Sequence, residues 1–417
     1  MVPQFHPVLL GADALGYSYA RQFHEVYGLT STVLASADIR YTSTSRFTSY
    51  TVIDGLDQEE TLLRALREQA GRIPDGTRPL VLSGASDWHA RTLAKNRADL
   101  EAWGYAVPVI DFDLLDRLTQ KDRFYALCQR LGIPYPRTWV LPFGQVAQEV
   151  TDSGLEVLGG VEQLRGADFP LIVKPSHSAD WHYADIEDKH KVYTLGSYEE
   201  LVRVSAQVEA SGYHHGLIIQ EVLSTADTSL HTLTVFADAR GEVRMAVSGD
   251  VVVQDRSAKG VGNPLVILGD RRRQDLLDHA RRFIRETGYS GYANFDVMDD
   301  AQGNPHFLEV NTRPGRNSYY VTLAGCPFVR PLVDHYVLGR DVATSLSDAE
   351  RAADRPFLFS MVPAAVALRE AGDPALRRRL EPFFAEGTWA NPLLNREDRL
   401  VQRMWARINF EHMRTKF

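Results

Sequence analysis

The first 115 residues alternate short apolar runs with longer segments of helical periodicity. The apolar runs lie at residues 7–10, 32–35, 50–53 and 79–83, and the clearest helical segments lie at residues 17–27 and 59–70. Strands that alternate with helices in this way predict a parallel sheet covered on both faces. Residues 11–16 lack the GxGxxG spacing, so they predict a plain strand-to-helix turn, with a ligand or phosphate loop as the alternative.

The middle of the chain mixes further strands with helices. Gly132 and the two prolines after it end a helix predicted over residues 121–131, because proline cannot continue a helix. The other helices are predicted at residues 197–208 and 271–287. Strands are predicted at residues 138–141, 169–174, 217–221, 230–237, 243–247 and 250–254, and a hairpin at residues 292–298 and 306–310. After about residue 345 the pattern is mostly helical and rich in arginine.

The composition is that of an ordinary globular protein of two or three domains, with 44% hydrophobic and 24% charged residues in a chain of 417. A net charge of -8 argues against a broad surface for nucleic acid or anionic membrane. Cys128 and Cys326 support neither a disulfide framework nor a zinc site, and Cys128 is expected to be a buried thiol. We see no signal peptide and no membrane-spanning run, so the cytoplasm is the expected location.

Side chains that carry oxygen are concentrated in the predicted hairpin. Asp296 lies on its first strand and Glu309 on its second, and Asn311 shares a face with Glu309 because strand side chains alternate. Three oxygen donors can thus converge, which suits Mg²⁺. Arg313 could neutralise a transferred phosphoryl group, and Arg316 follows in a turn that contains glycine. The alternative is a solvated hairpin with ordinary surface charges.

Two lysines and one polar strand end are candidates for nucleotide binding. Lys174 ends an apolar strand, where its ammonium group could contact phosphates, and Lys121 begins a predicted helix. Glu221 and the backbone of Leu223 could hold an adenine edge, and Asp227 could bind ribose hydroxyls. Taken singly, each of these is equally consistent with an exposed lysine or a buried strand that has a polar end.

The order of these residues resembles the ATP-grasp superfamily over roughly residues 110–320. The resemblance implies an α/β, Rossmann-like pre-ATP-grasp domain, an α+β ATP-grasp fold of two subdomains, and a helical C-terminal extension. The expected division is residues 1–115, 116–215, 216–345 and 346–417. Such enzymes activate a carboxylate as an acyl-phosphate, because joining it to an amine in water is uphill.

The resemblance also implies roles for single residues. Lys121 and Lys174 would contact the phosphates of ATP, and Arg313 would assist phosphoryl transfer. Glu221 and Leu223 would hold adenine. The residues expected to bind two Mg²⁺ ions are Asp296, Glu309 and Asn311.

The segment after Lys174 departs from the family pattern. Members often carry a glycine-rich loop over the phosphates there, whereas residues 176–191 contain no glycine. Ser176, Ser178 and the histidine between them could still donate hydrogen bonds to phosphate. Zinc is the alternative that three histidines raise, namely His177, His182 and His190. Their spacing matches no standard zinc pattern, so a polar lid is favoured over a metal site.

Two further segments narrow the resemblance. Residues 7–28, and residues 390–395 with the arginine-rich helix after them, are similar to the D-aspartate ligase group of ATP-grasp carboxylate–amine ligases. Members of that group add D-aspartate, through its β-carboxylate, to the side-chain amine of lysine in a peptidoglycan precursor. The resemblance therefore implies an ADP-forming ligase that uses ATP and Mg²⁺ and acts on an amino acid and an amine acceptor.

Several residues are candidates for the second half of the reaction. Arg313 and Arg316 suit the carboxylate of an amino acid. Asp13 and Asp87 could meet its ammonium group, although an ordinary turn role is favoured for both. Residues 257–263 predict a glycine-rich loop that either closes over a substrate or simply connects two strands.

Three other interpretations remain open at this point. The fold could serve a dipeptide or other amino-acid ligase of secondary metabolism, or a nucleotide-binding module without catalysis. A dehydrogenase is disfavoured because GxGxxG is missing. No nucleic-acid partner is expected, and a homodimer is the assembly considered.

Overall fold

The structure is a computed structural model that describes residues 4–181, 184–186, 189–223, 229–257, 260 and 262–416. The chain forms two compact units. The first contains Met1–Phe112, Leu230–Asn294 and Asn311–Phe417, and the second contains Asp113–Ser229 and Phe295–Val310. The first unit is therefore built from three separate stretches of the chain. The fourfold division expected from the sequence stays a prediction.

The first unit begins with a four-stranded parallel sheet in the order β3-β2-β1-β4. Its strands are β1 (Phe5–Leu10), β2 (Ser31–Ala35), β3 (Thr48–Val52) and β4 (Arg78–Leu82). The helices are α1 (Ala14–Tyr27), α2 (Arg40–Ser43), α3 (Glu59–Ala70), α4 (Asp87–Lys95) and α5 (Arg97–Ala102). Val8 lies opposite both Thr32 and Val81, so β1 is a central strand. The predicted alternation of strands and helices is confirmed.

The second unit contains a five-stranded sheet in the order β6-β5-β9-β7-β8. Its strands are β5 (Thr138–Leu141), β6 (Glu156–Val157), β7 (Leu171–Pro175), β8 (Tyr193–Leu195) and β9 (Leu217–Glu221). Its helices are α6 (Phe112–Thr119), α7 (Lys121–Leu131), α8 (Gln148–Thr151), α9 (Ser178–Trp181) and α10 (Tyr198–Ala210), with a 3-10 turn at Val161–Leu164. One face of the sheet is apolar, where Trp139, Val173 and Ile219 pack with α10 residues such as Leu201.

A seven-stranded sheet has the order β14-β13-β10-β11-β12-β15-β16. The strands are β10 (Leu230–Ala237), β11 (Val243–Gln254), β12 (Pro264–Gly269), β13 (Gly291–Asp299), β14 (Pro305–Asn311), β15 (Phe357–Ser360) and β16 (Trp389–Ala390). The second unit takes in the part of the β13–β14 hairpin that runs from Phe295 to Val310. The remaining helices are α11 (Gln274–Thr287), α12 (Tyr319–Leu323), α13 (Val329–Leu332), α14 (Val342–Ser345), α15 (Asp348–Ala352), α16 (Ala364–Glu370), α17 (Pro374–Glu386) and α18 (Leu400–Lys416), with a π-helical turn at Val333–Val337.

This sheet differs from the sequence prediction at strand β11. The runs at 243–247 and 250–254 are one continuous strand, β11, whose pairing with β12 shifts register near Val251 and Val253. Gly249 permits this continuity: a Cβ there would lie 2.4 Å from a side-chain carbon of Ile267. Gly249 lies between the two predicted runs, and it lets two strands approach closely.

The C-terminal segment is helical, as expected, but it also contributes strands. β15 pairs antiparallel with β12, and β16 pairs parallel with β15. Asp398 fastens the segment to the N-terminal sheet, since its carboxylate accepts hydrogen bonds from the hydroxyl of Tyr17 at 3.0 Å, the hydroxyl of Ser45 at 2.6 Å and the backbone N–H of Arg46 at 2.8 Å. One core cluster includes Phe5, Leu9, Phe357 and Ala406, so both ends of the chain build the first unit.

Candidate active site

Lys174 lies on the face of the five-stranded sheet that is opposite its apolar core. It lies directly opposite Ile218, while Gln220 lies opposite Ile172, so Lys174 and Gln220 share a face of the β7–β9 pair. The Lys174 Nζ donates a hydrogen bond to Gln220 Oε1 at 3.3 Å. Gln220 is held in turn, because its Nε2 donates to Thr138 Oγ1 at 2.8 Å. The hydrogen bonds from Lys174 to Gln220 and from Gln220 to Thr138 therefore orient the lysine side chain within the second unit.

The charge of Lys174 is sensitive to three other groups in the same unit. Burial lowers the pKa of Lys174 to about 8, with the carboxylates of Glu309 and Asp296 opposing this shift and the ammonium group of Lys121 adding to it. A second predicted phosphate-binding lysine and two predicted metal-binding carboxylates thus lie within electrostatic reach of Lys174. The roles that the resemblance implies for these four residues stay predictions.

Lys121 begins α7 and contacts the segment that follows β7. Its Nζ donates to Ser178 Oγ at 2.8 Å, and its backbone N–H donates to the carbonyl of Ser176 at 2.9 Å. Ser176 is buried, and its own N–H donates to the carbonyl of Gly216 at 3.1 Å. The N–H of His177 donates to the hydroxyl of Tyr213 at 2.8 Å. The backbone N–H groups of Ser176 and His177 are thus used within the protein, and Ser178 is the exposed polar residue beside Lys121.

The hairpin carboxylates are held against α7. The hydroxyl of Tyr125 donates to the carbonyl of Leu308 at 2.6 Å, and the N–H of Phe307 donates to the carbonyl of Pro134 at 2.8 Å. These two bonds hold β14 at Phe307 and Leu308, directly before Glu309. Glu309, one residue further on, and Asn311 project from the same face of β14 and are half-buried.

Arg313 and Arg316 belong to the first unit and are ion-paired there. The Nε of Arg313 donates to Asp87 Oδ1 at 2.7 Å, and the Nε of Arg316 donates to Asp13 Oδ2 at 2.9 Å. Asp13 also caps α1 by accepting from the backbone N–H of Leu15. The sequence predicted both arginines and both aspartates as separate candidates and missed their pairing, since the partners are 226 and 303 positions apart.

Glu221 occupies the other face of its strand. It lies opposite Leu171, one position out of phase with Gln220, and its Oε1 accepts from the backbone N–H of Arg137 at 3.0 Å. The carboxylate lines an open cleft of about 560 Å³ that includes Tyr135 and Glu156. Leu223 follows as a half-buried residue, and Asp227 lies outside the described residues. The adenine role of this segment stays a prediction.

The histidines form a different group from the one considered in the sequence. His177 lies next to Asp180 and His215, with the two imidazole centroids 4.5 Å apart. The backbone of His190 bonds instead to Trp181 and Tyr193, and His182 lies outside the described residues. Sequence reasoning missed His215, although the polar Tyr-His-His run ahead of an apolar strand was a visible signal.

The thiols and the membrane prediction can also be compared with the structure. Cys128 and Cys326 are free and buried, as expected for Cys128. Burial raises the pKa of both thiols, which disfavours thiolate chemistry. Within the part of the chain that the structure describes, no helix has the length and apolar character needed to cross a bilayer.

Two sequence comparisons relate the chain to known proteins. Residues 164–330 match the family described as "Carbamoyl-phosphate synthase L chain, ATP binding domain". The chain is 27% identical over 412 residues to the D-aspartate ligase of Enterococcus faecium (strain Aus0004), and the alignment covers 98% of this chain and 94% of that ligase.

Two solved structures illustrate the shared fold. The biotin carboxylase domain of the Hydrogenobacter thermophilus 2-oxoglutarate carboxylase, a dimer in complex with MgADP, ADP and bicarbonate, superimposes with a TM-score of 0.59 at 16% identity, covering 81% of this chain and 71% of that one. The L-amino acid ligase of Bacillus licheniformis gives a TM-score of 0.55 at 15% identity, covering 85% and 78%. Together with the residues described above, these findings show that the chain resembles ATP-grasp ligases over nearly its whole length, and they agree with an enzyme that uses ATP and Mg²⁺ and forms ADP.

Proposed function

We propose that this ligase activates the β-carboxylate of D-aspartate, or of a closely similar amino acid, and joins it to the side-chain amine of a peptidoglycan precursor. The near full-length similarity to a D-aspartate ligase supports this choice of substrate. The observation that carries the chemistry is the convergence on Lys174 of two carboxylates and a second lysine. Because ATP and the acceptor would be drawn from the cell interior, we propose a cytoplasmic enzyme, with a homodimer as the assembly to test.

The phosphate-binding role falls to the two lysines. Lys174 is held by neutral Gln220 and has no carboxylate of a described residue within ion-pair distance of its Nζ. A buried ammonium group in that position gains most from an anionic ligand, because the ligand offsets the cost of desolvating the charge. Lys121, whose ammonium group donates to the hydroxyl of Ser178, can contact the same ligand. Both lysines therefore suit the phosphates of ATP, with Ser176 as backbone support.

The metal-binding role falls to Asp296, Glu309 and Asn311. Carboxylate and amide oxygens on half-buried strand positions fit Mg²⁺, which prefers oxygen ligands and keeps waters and phosphate oxygens in its remaining positions. When bound, Mg²⁺ supplies charge neutralisation for phosphoryl transfer. The hydrogen bond from Tyr125 to the strand backbone fixes the direction in which Glu309 points.

The amino-acid role falls to Arg313 and Arg316 with their partners. Each guanidinium group carries several N–H donors in a fixed fork, so it can bind the carboxylate of an amino acid when it shares or exchanges its aspartate. Asp87 and Asp13 carry the opposite charge needed by the ammonium group. Each arginine–aspartate pair would thus offer a positive group to the carboxylate of the amino acid and a negative group to its ammonium group. Glu221, Leu223 and Asp227 remain the candidates for adenine and ribose.

The direct test measures phosphate release with a panel of D- and L-amino acids and lysine-containing acceptors. We expect D-aspartate with a lysine-containing precursor to give the highest kcat/KM, and Glu309→Ala to abolish the reaction while the protein stays folded. Glu286→Ala, which removes an exposed glutamate on α11, is the matched control and should keep full activity. Preference for another amino acid would replace the substrate, and ATP binding without turnover on any pair would favour the non-catalytic alternative.

A further inference from the structure

Three side chains with nitrogen and oxygen donors meet beside the segment that follows β7. His177 Nδ1 lies 3.0 Å from Asp180 Oδ2, and His215 Nε2 lies 2.5 Å from the same oxygen. All three donor atoms lie within 4.8 Å of one another. His177 directly follows the loop residue Ser176, while His215 precedes β9, so the group joins two separate parts of the second unit.

His177 is the buried member of the group. It is 3% exposed, and neither of its ring nitrogens makes a hydrogen bond of acceptable geometry within the described part of the chain. Buried imidazole nitrogens without a hydrogen bond are costly, and such groups call for an explanation such as an ion or a water molecule. Its Nδ1 is directed at the carboxylate oxygen shared with His215.

We infer that His177, Asp180 and His215 form a binding site for a transition-metal ion of the Zn²⁺ type. Two imidazole nitrogens and one carboxylate oxygen make the donor set that Zn²⁺ uses in three-ligand sites with an open fourth position. In a tetrahedral site with bonds of 2.0–2.1 Å, donor atoms lie about 3.3 Å apart. The separations here are 3.0 and 2.5 Å, so the contact between His215 and Asp180 would have to open when the ion binds. Imidazole ligands favour Zn²⁺ over Mg²⁺, so this site differs chemically from the oxygen-rich hairpin.

The surroundings of His177 fit a metal ligand. If Nδ1 binds the ion, Nε2 faces Asp116, whose Oδ1 lies 3.7 Å away. A carboxylate near the second ring nitrogen is the usual support for a histidine that binds zinc. Gln120 holds that carboxylate through a hydrogen bond of 2.8 Å to the other oxygen. The hydroxyl of Tyr213 bonds to both the N–H and the carbonyl of His177, at 2.8 and 3.0 Å, which fixes its backbone.

The proposed ion would order the segment that contains Ser178, the hydrogen-bond partner of Lys121. Ser178, which accepts from Lys121, lies between His177 and Asp180 in the chain. A metal that joins this short segment to His215 therefore ties the phosphate-side lysine to the sheet, in a segment that lacks the glycine-rich loop of related enzymes. Metal binding at such a site contributes directly to local order.

The test uses the full-length protein, stripped of metal with a chelator and then titrated with Co²⁺ as a visible probe of Zn²⁺ sites. We expect one equivalent of Co²⁺ to give the intense visible absorption of a four- or five-coordinate ion, which Zn²⁺ abolishes and excess Mg²⁺ does not. Asp180→Asn and His215→Ala should each weaken Co²⁺ binding at least tenfold. Asp180 is half-exposed, so its variant is the safer one for folding.

His214→Ala is the matched control, because His214 is an exposed histidine next to His215. It should bind Co²⁺ like the unchanged protein. Absence of the absorption, displacement by Mg²⁺, or equal binding by folded Asp180→Asn would overturn the site and leave a hydrogen-bonded His-Asp-His group. Equal loss in His214→Ala would overturn the assigned ligands. Because the readout is metal binding, none of these results depends on the proposed ligase substrate.

Discussion

The two groups of basic residues handle their charge in opposite ways. In the second unit, Lys174 bonds to a neutral amide, and burial lowers its pKa to about 8. In the first unit, Arg313 and Arg316 already hold the carboxylates of Asp87 and Asp13. A lysine that forms no ion pair with a described residue gains strongly when a phosphate arrives, whereas a paired arginine must share or exchange its partner. We infer that the lysines supply affinity for the nucleotide and the arginines supply selectivity for the amino acid.

The largest effect should follow from removing Lys174. We expect Lys174→Ala to lower kcat/KM for ATP by about 10²–10³-fold, because a preorganised charge facing the phosphates is lost. Steady-state phosphate release measures the effect, and circular dichroism checks the fold. Lys95→Ala, which removes an exposed lysine paired with Glu59, should change little. Similar activity in Lys174→Ala and Lys95→Ala would contradict the proposed difference between the lysines and the arginines.

A smaller effect should appear as a pH dependence. The charged form of Lys174 is needed for phosphate binding and is lost as the pH rises through about 8, so KM for ATP should increase by about fivefold between pH 8 and 9. Glu309 and Asp296 oppose this loss of the proton and Lys121 favours it. Lys174→Arg keeps its charge throughout this range, so an active variant should show a flatter profile. An equally steep profile would assign the pH dependence to another group.

The smallest effect should follow from unpairing one arginine. Asp87→Asn keeps the shape of the partner but removes its charge, so we expect KM for the amino acid to rise about three- to fivefold, with kcat nearly unchanged. A rise of that size corresponds to less than about 1 kcal/mol, as expected for a partner that is 67% exposed. Asp99→Asn on α5 is the matched control. A large fall in kcat would instead place Asp87 in the phosphoryl-transfer step.

Local patterns predicted those parts of the molecule that local forces determine. Apolar runs located β1, β2 and β4, and the strand-end position of Lys174 together with the spacing of Glu309 and Asn311 predicted a charged site. The order of these residues, rather than any single one, carried the prediction.

Long-range pairing was the part that the sequence did not reveal. Strand β15 has only four residues, and its partner β12 lies about ninety positions earlier, so no periodicity marks either of them as neighbours. The same holds for Asp87 with Arg313 and for Asp180 with His215, whose contacts span 226 and 35 positions. Side chains that meet only through the fold carry no signature in their own segments.

The pairing of β15 with β12 has a consequence for biosynthesis. The five-stranded sheet of the second unit uses strands between Thr138 and Glu221, so all of them have been translated before the chain is much more than half made. The seven-stranded sheet needs Phe357–Ser360, and the core around Phe5 needs Ala406. A ribosome that synthesises this protein must therefore release almost the entire polypeptide before the first unit can close. Until then β12 presents an unpaired edge, and the nascent chain is expected to depend on chaperones at that stage.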